Sequence, residues 1–397
     1  MTEAGTLLIG RALRAFVDGY VAVLLPVYLL ALGFGTWQVG LLSTATLLGS
    51  ALTTLAVGAW GHRFLSRHLL LAAGLLMAAT GLAFAGAGIS DAGAFWPLLL
   101  IAFVGTLNPS SGDVSVFLPL EHARLADVTA GDARTRLFAR YSLTGALCGA
   151  FGALAAGVPD WLVMLELDRL TALRGMFVVY GLTGLLVWWL YRRLPEPPRH
   201  ERLPPTPLGV SRGVVVRLAA LFSVDAFAGG LVVNSLLALW LFERFGVSAA
   251  AAGAFFFWAG LLTAASQLAA PWIAQRIGLL NTMVFTHIPA SLCLILAALA
   301  PTLPLALALL LLRAFLSQMD VPTRAAFVMA VVTPPERAAA ASFTAVPRSL
   351  AAALSPTLGG ALFAAGLLAA PLLLCGALKI SYDLALLAAF KKHQAAR

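Results

Sequence analysis

Charged side chains are scarce in this chain. Aspartate, glutamate, lysine and arginine make up 11% of its 397 residues, against about 25% in an average soluble domain. Hydrophobic residues make up 61%, and not one of those four charged residue types occurs between Arg276 and Arg313. A soluble fold cannot bury so much apolar surface, so this composition excludes a soluble protein and indicates a chain that lies in lipid.

The chain also lacks several short motifs that carry chemistry. Its three cysteines, Cys148, Cys293 and Cys375, do not have the spacing of metal ligands, and no G-x-G-x-x-G, P-loop or C-x-x-C pattern occurs. We therefore expect neither an enzyme nor an ATP-driven pump, and we expect no cofactor and no metal site.

Apolar runs of membrane-spanning length recur twelve times. About 20 residues cross a bilayer as a helix, and the charge-free run after Arg276 fits two such helices joined by a turn at 300–304. The sequence predicts an all-α integral membrane protein with twelve transmembrane helices in two pseudo-symmetric six-helix bundles. The expected spans are 7–32, 37–60, 68–89, 96–120, 137–158, 173–193, 213–241, 248–274, 279–300, 304–331, 338–366 and 370–390.

The two halves of the chain repeat each other. Asp18 matches Asp225 and Asp113 matches Asp320, each at an offset of 207 residues. Parallel repeats are typical of transporters whose halves rock about a central site, and the proline-rich polar segment between the halves predicts a linker. The expected domains are an N-terminal bundle at 1–193, a cytoplasmic linker at 194–212 and a C-terminal bundle at 213–397.

The formal net charge of +9 has a placement that explains it. Most lysines and arginines fall at alternate span ends, as the positive-inside rule requires, if both termini are cytoplasmic. The excess charge therefore predicts orientation rather than nucleic-acid binding. We expect a monomer that crosses a bacterial cytoplasmic (inner) membrane many times and contacts membrane lipid.

Two loops carry the signature of a family. Residues 58–67 resemble the G-x-x-x-D-R-x-G-R-R loop of the major facilitator superfamily and keep Arg63, with His62 in place of the aspartate and Leu65 in place of a glycine. The corresponding loop of the second half keeps Arg276. The resemblance implies the superfamily fold, and it implies that Arg63 and Arg276 latch helix ends on the cytoplasmic side during gating.

A further element points to one branch of that family. Residues 355–360, in the eleventh predicted span, read Ser-Pro-Thr-Leu-Gly-Gly. They look like the G-P-x-x-G-G element that proton-driven exporters carry in their fifth helix. Here the fifth span has only a glycine-rich segment at 148–153, so the element lies in the other half. Within the superfamily, the chain looks most like the bacterial drug and metabolite exporters.

Ionisable residues inside the spans are the candidates for function. A charge at the bilayer centre costs about 2.5–3.5 kcal/mol on insertion scales, so such residues bind a solute or protons, or pair with one another. The resemblance implies that helices 1, 4, 7 and 10 line a central cavity, and each carries one repeated acid. The predicted substrate- and proton-binding residues are Asp18, Asp113, Asp225, Asp320, Arg140, Arg313, Arg324 and Arg348.

Two ion pairs between neighbouring helices are expected among these residues. Each base lies two to three turns into the helix after its acid, and the superfamily resemblance implies that these consecutive helices are neighbours. Asp113 is therefore predicted to pair with Arg140, and Asp320 with Arg348. Arg324 competes for Asp320 from its own helix, four residues away.

The remaining buried charges have separate interpretations. Asp18 and Asp225 are the expected carriers of a coupling proton, since carboxylates in a low-dielectric cavity can exchange protons near neutral pH. Lys379 and Asp383, four residues apart, are interpreted as a bridge that satisfies itself within one helix. His287 is interpreted as a packing residue.

These patterns predict a secondary active transporter that moves a small organic solute by alternating access, in the form of proton-coupled efflux. Isolated acids in an apolar cavity suit a lipophilic cation, whereas the nearby arginines suit an organic anion. A facilitator or symporter of an organic anion is therefore the main alternative. A non-transporting membrane sensor and a lipid-acting enzyme are further alternatives.

Overall fold

The computed structural model describes residues 2–60, 63–88, 94–110, 115–128, 131–195 and 208–394, and within these ranges it contains helices, turns and short loops but no strand. By length and composition, ten helical segments can cross a membrane, and Phe95–Val104 is a shorter apolar helix. Together with the helix Arg337–Ala364 they form twelve spans, which confirms the predicted fold class. The first six are α1 (Glu3–Ala31), α2 (Thr36–Trp60), α3 (Ser66–Ala85), α4 (Phe95–Val104 and Phe117–Val128), α5 (Gly131–Leu154, continued to Met164) and α6 (Arg169–Tyr191).

The second half repeats the order of the first. Most of the predicted span limits fall within a few residues of the observed ones. The six spans are α7 (Arg212–Gly230 and Asn234–Phe245), α8 (Ala249–Ile277), α9 (Leu279–Leu299), α10 (Leu303–Ser317 and Asp320–Val331), α11 (Arg337–Ala364) and α12 (Ala370–Gln394).

Short polar residues and glycines set the helix ends. The Asp168 carboxylate accepts a hydrogen bond from the backbone N–H of Thr171 at 2.9 Å and caps α6. Ser248 caps α8 in the same way. Gly246, with φ of +62°, ends α7 in the left-handed conformation that favours glycine. Local capping residues in the sequence therefore set where these spans begin and end.

Three spans are broken within the membrane. α4 is interrupted before and after Pro109, which cannot donate a helical hydrogen bond. α7 is interrupted at 231–233 and α10 at 318–319. Asp320 begins the second piece of α10, where the positive end of the helix dipole favours an acid. Its repeat partner Asp113 lies outside the described residues.

The halves pack in matching ways. In the N-terminal half α1 packs against α5 and α3 against α6, and in the C-terminal half α7 packs against α11 and α9 against α12. Between the halves, α2 packs against α11 and α5 against α8. These contacts follow the two-fold pattern that the sequence repeat predicts.

The halves touch at one end and separate at the other. One apolar cluster joins both halves, including Tyr28 and Trp240, at the end remote from the first residues of α1. At the end where α1 begins, each half has its own cluster, with Leu7 in one and Leu218 in the other. Among the described residues, the hydrogen bonds that join the halves also lie at the closed end, including Ser43 to Ser235 at 3.1 Å. The structure is therefore open toward the end that carries the start of α1.

Candidate functional site

A cavity of about 890 Å³ lies between the two halves. Helices α1, α2, α4, α5, α7, α8, α10 and α11 line it, and its lining reaches the separated end of the bundle at Thr54 on α2 and Gln267 on α8. The spans that the superfamily resemblance assigns to the cavity, α1, α4, α7 and α10, are all present in its wall. A solute can enter from one side only, as an alternating-access cycle requires.

The cavity wall is basic. Arg11 and His122 come from the N-terminal half, and Arg313, Arg324 and Arg348 come from the C-terminal half. No aspartate or glutamate belongs to the part of this lining that the structure describes. The wall therefore attracts negative charge.

Two of these arginines form no ion pair among the described residues. Arg313 on α10 and Arg348 on α11 are half-buried, and neither makes an ion pair or a hydrogen bond through its guanidinium with any part of the chain that the structure describes. Arg313 lies near Cys293 and Cys375 instead. Leaving a cation partly desolvated without a partner is costly, so the two side chains are available to a ligand of opposite charge.

Beside the central cavity lies a smaller polar pocket of about 110 Å³. It is lined by residues of α7, α9, α10, α11 and α12, and it shares Arg313, Gln318 and Arg348 with the central cavity. The two spaces are thus adjacent and share part of their wall.

Asp225 is the centre of an ion cluster in the small pocket. Its carboxylate lies 2.5 Å from Lys379 Nζ and 3.2 Å from a guanidinium nitrogen of Arg324. The same Arg324 nitrogen lies 3.2 Å from Asp320. His287 lies 3.0 Å from Asp383 through Nδ1, and its Nε2 lies 3.3 Å from Lys379 Nζ. Four helices contribute to this cluster.

The N-terminal half holds a smaller cluster around Glu121. Arg14 of α1 contacts both carboxylate oxygens of Glu121 of α4 at 2.5 Å. The hydroxyls of Tyr141 and Tyr191 donate to the same carboxylate, which is completely buried. The Glu121 carboxylate thus has two hydroxyl donors and one cation, so its charge is satisfied without solvent.

Asp18 and Asp225 have different surroundings despite their repeat relation. The Asp18 carboxylate is half-buried and lies against the Asn108 side chain, with Arg14 and Arg11 nearby. Asp225 is almost fully buried and is held by two cations. Of the two expected proton carriers, protonation of Asp225 would break its ion pairs with Lys379 and Arg324, whereas protonation of Asp18 would break none.

The expected ion pairs are not the ones that form. Asp320 pairs with Arg324 of its own helix and not with Arg348, because the first residues of α10's second piece bring the four-residue neighbour closer. Arg140 is exposed, and its expected partner Asp113 lies outside the described residues. The predicted Asp320–Arg348 pair is therefore wrong.

Two further interpretations of buried charge are also wrong. Lys379 and Asp383 do not satisfy each other, because Lys379 reaches Asp225 on α7 and Asp383 reaches His287 on α9. His287 is a member of the ion cluster and not a packing residue. Side chains on α12 cross to neighbouring helices here, which a spacing of four residues does not reveal.

The two predicted gating arginines lie at the open end. Arg63 is exposed on the turn before α3, and Arg276 is exposed and stacks on the Trp272 ring at 3.9 Å, near the end of α8. Arg67 donates a hydrogen bond to the Arg192 carbonyl at 2.7 Å and ties α3 to the end of α6. The gating role of Arg63 and Arg276 stays a prediction.

Arg14 and Glu121 are not among the site residues that the sequence predicts. Arg14 lies one turn before Asp18 on the same helix face, and this spacing is the sequence signal that could have predicted it. Glu121 lies one residue beyond the predicted end of the fourth span, at 120, and the structure places it inside the bundle with no exposed surface. The predicted span stops at 120, whereas the helix continues to Val128, so the sequence prediction places Glu121 outside the membrane helix.

A chain of twelve membrane helices whose halves enclose a one-sided cavity is a secondary transporter. The family model described as Major Facilitator Superfamily matches residues 7–295, and the chain belongs to that family. It is a transporter and not an enzyme, and its substrate is a small molecule. It crosses the membrane many times, in contact with lipid.

Individual relatives are distant. An uncharacterized membrane protein of Saccharomyces cerevisiae is 23% identical, over 95% of this chain and 92% of its own length. A crystal structure of the nucleoside transporter NupG is 16% identical and covers 98% of this chain and 100% of its own, with a TM-score of 0.73. A D-xylose-proton symporter is 16% identical over 97% of each chain, with a TM-score of 0.74. These likenesses show the fold. The exporter branch and the bacterial inner membrane remain predictions.

Proposed function

We propose that this chain moves a small organic anion across the membrane by alternating access, binding it in the central cavity against Arg313 and Arg348. One observation carries the proposal. Both arginines line the cavity, and neither forms a direct ion pair with a carboxylate in the described chain. A bound anion would give these guanidinium groups a direct partner, with charge-assisted hydrogen bonds that are absent from the empty site.

The remaining wall indicates the kind of anion. Asn234, Gln267 and Gln318 offer amide groups for hydrogen bonds, and Phe255 and Phe256 offer apolar surface. A volume of about 890 Å³ falls within the range of small-molecule sites. A carboxylate or phosphate joined to an apolar or aromatic body fits these features together.

The lipophilic cation is the weaker candidate. Its case rests on acids in the spans, but Asp225 and Asp320 are already occupied by Lys379 and Arg324. Proton coupling and export stay predictions from the sequence, since neither the cavity nor its charge assigns a direction. The gating role of Arg63 and Arg276 has the same standing.

Binding to the purified protein tests the proposal. We would compare three anions with neutral counterparts of the same shape: benzoate with benzamide, succinate with succinamide, and adenosine monophosphate with adenosine. At least one anion should raise the thermal unfolding midpoint while its counterpart does not. A ligand at one hundred times its Kd adds about 2.7 kcal/mol of stability.

Variants assign the binding to the site. Arg348→Gln should weaken anion binding about tenfold or more, because a hydrogen bond to a charged group contributes about 1.5–3 kcal/mol. Arg169→Gln, on an exposed arginine that begins α6, is the matched control. Equal stabilisation by the neutral counterparts, or stabilisation by benzylamine alone, would overturn the proposal.

A further inference from the structure

The outer face of α6 changes from apolar to basic toward the open end of the molecule. Leu182, Leu186 and Trp189 are exposed and share one side of the helix, since they are separated by four and seven residues. Arg193, two residues beyond the end of α6, stacks on Trp189 and so extends the same face. None of these four residues belongs to the cavity wall, and α6 packs against α3 and α1 on its other sides. This face therefore lies against lipid.

Two arginines at the end of α6 each stand on an indole ring. Arg193 Cζ lies 3.9 Å from the centre of the Trp189 ring, and Arg192 Cζ lies 4.9 Å from that of Trp188. Both arginines are exposed, and neither forms an ion pair with a residue that the structure describes. An indole ring attracts the cation without accepting a hydrogen bond from its N–H groups. The rings thus restrain both guanidinium groups and leave their donors free for an anion.

The position of this basic end is fixed by α3. A Cβ on Gly74 would lie only 3.1 Å from the Cα of Trp188, so α3 and α6 touch closely at the tryptophans. At the first turn of α3, Arg67 donates a hydrogen bond to the Arg192 carbonyl at 2.7 Å. The end of α6 is therefore held in place by its backbone, and the Arg192 and Arg193 side chains are left for another partner.

A phospholipid has the same order of groups along the membrane normal. Tryptophan rings prefer the headgroup level of a bilayer, and arginine side chains extend past that level toward the phosphates. Leu182 and Leu186, one to two turns before Trp189, lie at the depth of the acyl chains. A soluble phosphate would use only the basic part of this face, whereas a lipid uses the whole of it.

We propose that the end of α6 binds one anionic phospholipid, whose phosphate is held by Arg192 and Arg193 and whose acyl chain lies along Trp189 and Leu186. This inference goes beyond the proposed function and does not depend on it. Two guanidinium groups favour a headgroup of net negative charge, such as phosphatidylglycerol. The ammonium group of a zwitterionic headgroup would be repelled by the same arginines.

The corresponding surface of the second half is built differently. The repeat relates α6 to α12, whose last residues include Lys391 and Lys392, but no tryptophan occurs between Ala370 and Gln394. A single arginine–tryptophan pair, Arg276 on Trp272, lies on α8. General attraction of bases to an anionic membrane would act on both halves alike. The two adjacent pairs on α6 favour a defined site in the first half.

Native mass spectrometry of the purified protein, titrated with phosphatidylglycerol or with phosphatidylcholine of the same acyl chains, tests this site. The first phosphatidylglycerol should bind about tenfold or more tightly than phosphatidylcholine. Arg192→Gln with Arg193→Gln should remove this preference, because two charge-assisted hydrogen-bonding groups are lost. The bond from Arg67 stays, since it uses the backbone carbonyl of residue 192.

A matched control removes the same charge elsewhere. Arg212→Gln with Lys391→Gln changes two exposed bases of the other half, at the start of α7 and near the end of α12, and should keep the preference. An equal loss in this control would show a general charge effect and overturn the inference. Equal affinity of the wild-type protein for both lipids, or a preference that Arg192→Gln with Arg193→Gln leaves intact, would overturn it as well.

Two further measurements separate a lipid from a soluble phosphate and cover a double variant that does not fold. Excess glycerol phosphate should not displace the bound phosphatidylglycerol, because it has no acyl chain to lie along α6. Trp189→Leu, which changes one exposed ring and no charge, should weaken phosphatidylglycerol binding several-fold. Displacement by glycerol phosphate, or unchanged binding in Trp189→Leu, would contradict the lipid site.

Discussion

Arg14 and Arg324 each form an ion pair between the first and fourth helices of their half, but the base and the acid exchange helices between the two halves. In the first half the base is on α1 and the acid, Glu121, is on α4. In the second half the acid, Asp225, is on α7 and the base is on α10. The equivalent helices are thus joined by ion pairs of reversed sign. The sequence repeat aligns Asp18 with Asp225. The residue of α1 that forms the interhelical ion pair is instead Arg14, one turn before Asp18.

Removing Glu121 should destabilise the protein strongly. Glu121→Ala leaves Arg14 buried without its ion-pair partner, and breaking a buried pair in this way costs about 3–5 kcal/mol. The double variant Arg14→Leu with Glu121→Leu should recover most of that loss, short of the part due to the unpaired hydroxyls of Tyr141 and Tyr191. Unfolding in detergent measures both, with Glu166→Ala in the exposed loop before α6 as control. A double variant as unstable as the sum of its single changes would contradict the pairing.

Glu336 gives a pH-dependent contact at the start of α7. Hydrogen bonding by the Ser211 side chain, together with the backbone N–H groups of Ser211 and Gly209, lowers the pKa of Glu336 below its usual value. A carboxyl with a lowered pKa adds stability above its unfolded pKa and loses it as pH falls through the folded value. This contact holds the loop before α11 against the first turn of α7.

The effect of Glu336→Gln should therefore depend on pH. At pH 7 the variant should unfold at a lower temperature than wild type, and the difference should shrink as pH falls below about 4, near the ordinary pKa of glutamate. Glu166→Gln should leave the unfolding temperature unchanged at both pH values. A difference that is the same at both would mean that the charge of Glu336 contributes nothing.

At the scale of helices, close backbone contact holds the closed end. A Cβ on Gly360 of α11 would lie 2.8 Å from the Gly40 Cα of α2 and 2.8 Å from the Thr36 carbonyl. Backbone cannot move aside as a side chain can, so these helices meet only because both positions are glycine. Gly360 belongs to the element that resembles an exporter motif, and in this chain the element serves the contact between the halves.

Gly360→Val should push the closed end apart. Ser43 lies fully buried between the halves there, so Ser43→Cys should react slowly with a maleimide in a chain with Cys148→Ala. Adding Gly360→Val should raise the rate several-fold, because the valine side chain separates α2 and α11 and favours the state in which this end is open. Gly175→Val on α6, where a Cβ meets open space, is the control. An unchanged rate would show that α2 and α11 tolerate the added volume.

At the scale of the whole molecule, the sequence predicted architecture better than chemistry. Hydropathy predicts the spans, because in lipid each span must pair its backbone N–H and C=O groups within its own helix. The repeated acids predict the two halves. Which side chains meet depends on rotations and breaks that no spacing encodes. Lys379 and Asp383 show this clearly: a spacing of four on one helix predicted a mutual pair, and both side chains instead bridge to other helices.

Which end of the cavity is open is likewise visible only in the packing of the two halves. One apolar cluster joins the halves at one end and two separate clusters occupy the other. Arg313 and Arg348 line the cavity between the halves. An alternating-access cycle would close this end around a bound solute and open the other.

Counterflow in proteoliposomes tests the central claim most directly. Vesicles loaded with unlabelled benzoate, succinate or adenosine monophosphate should accumulate the same radiolabelled anion, and they should not accumulate its neutral counterpart. The variant Arg313→Gln with Arg348→Gln should lower the uptake about tenfold or more, while Arg169→Gln should not. Equal uptake of an anion and its neutral counterpart, or anion uptake that the double variant leaves unchanged, would contradict the account.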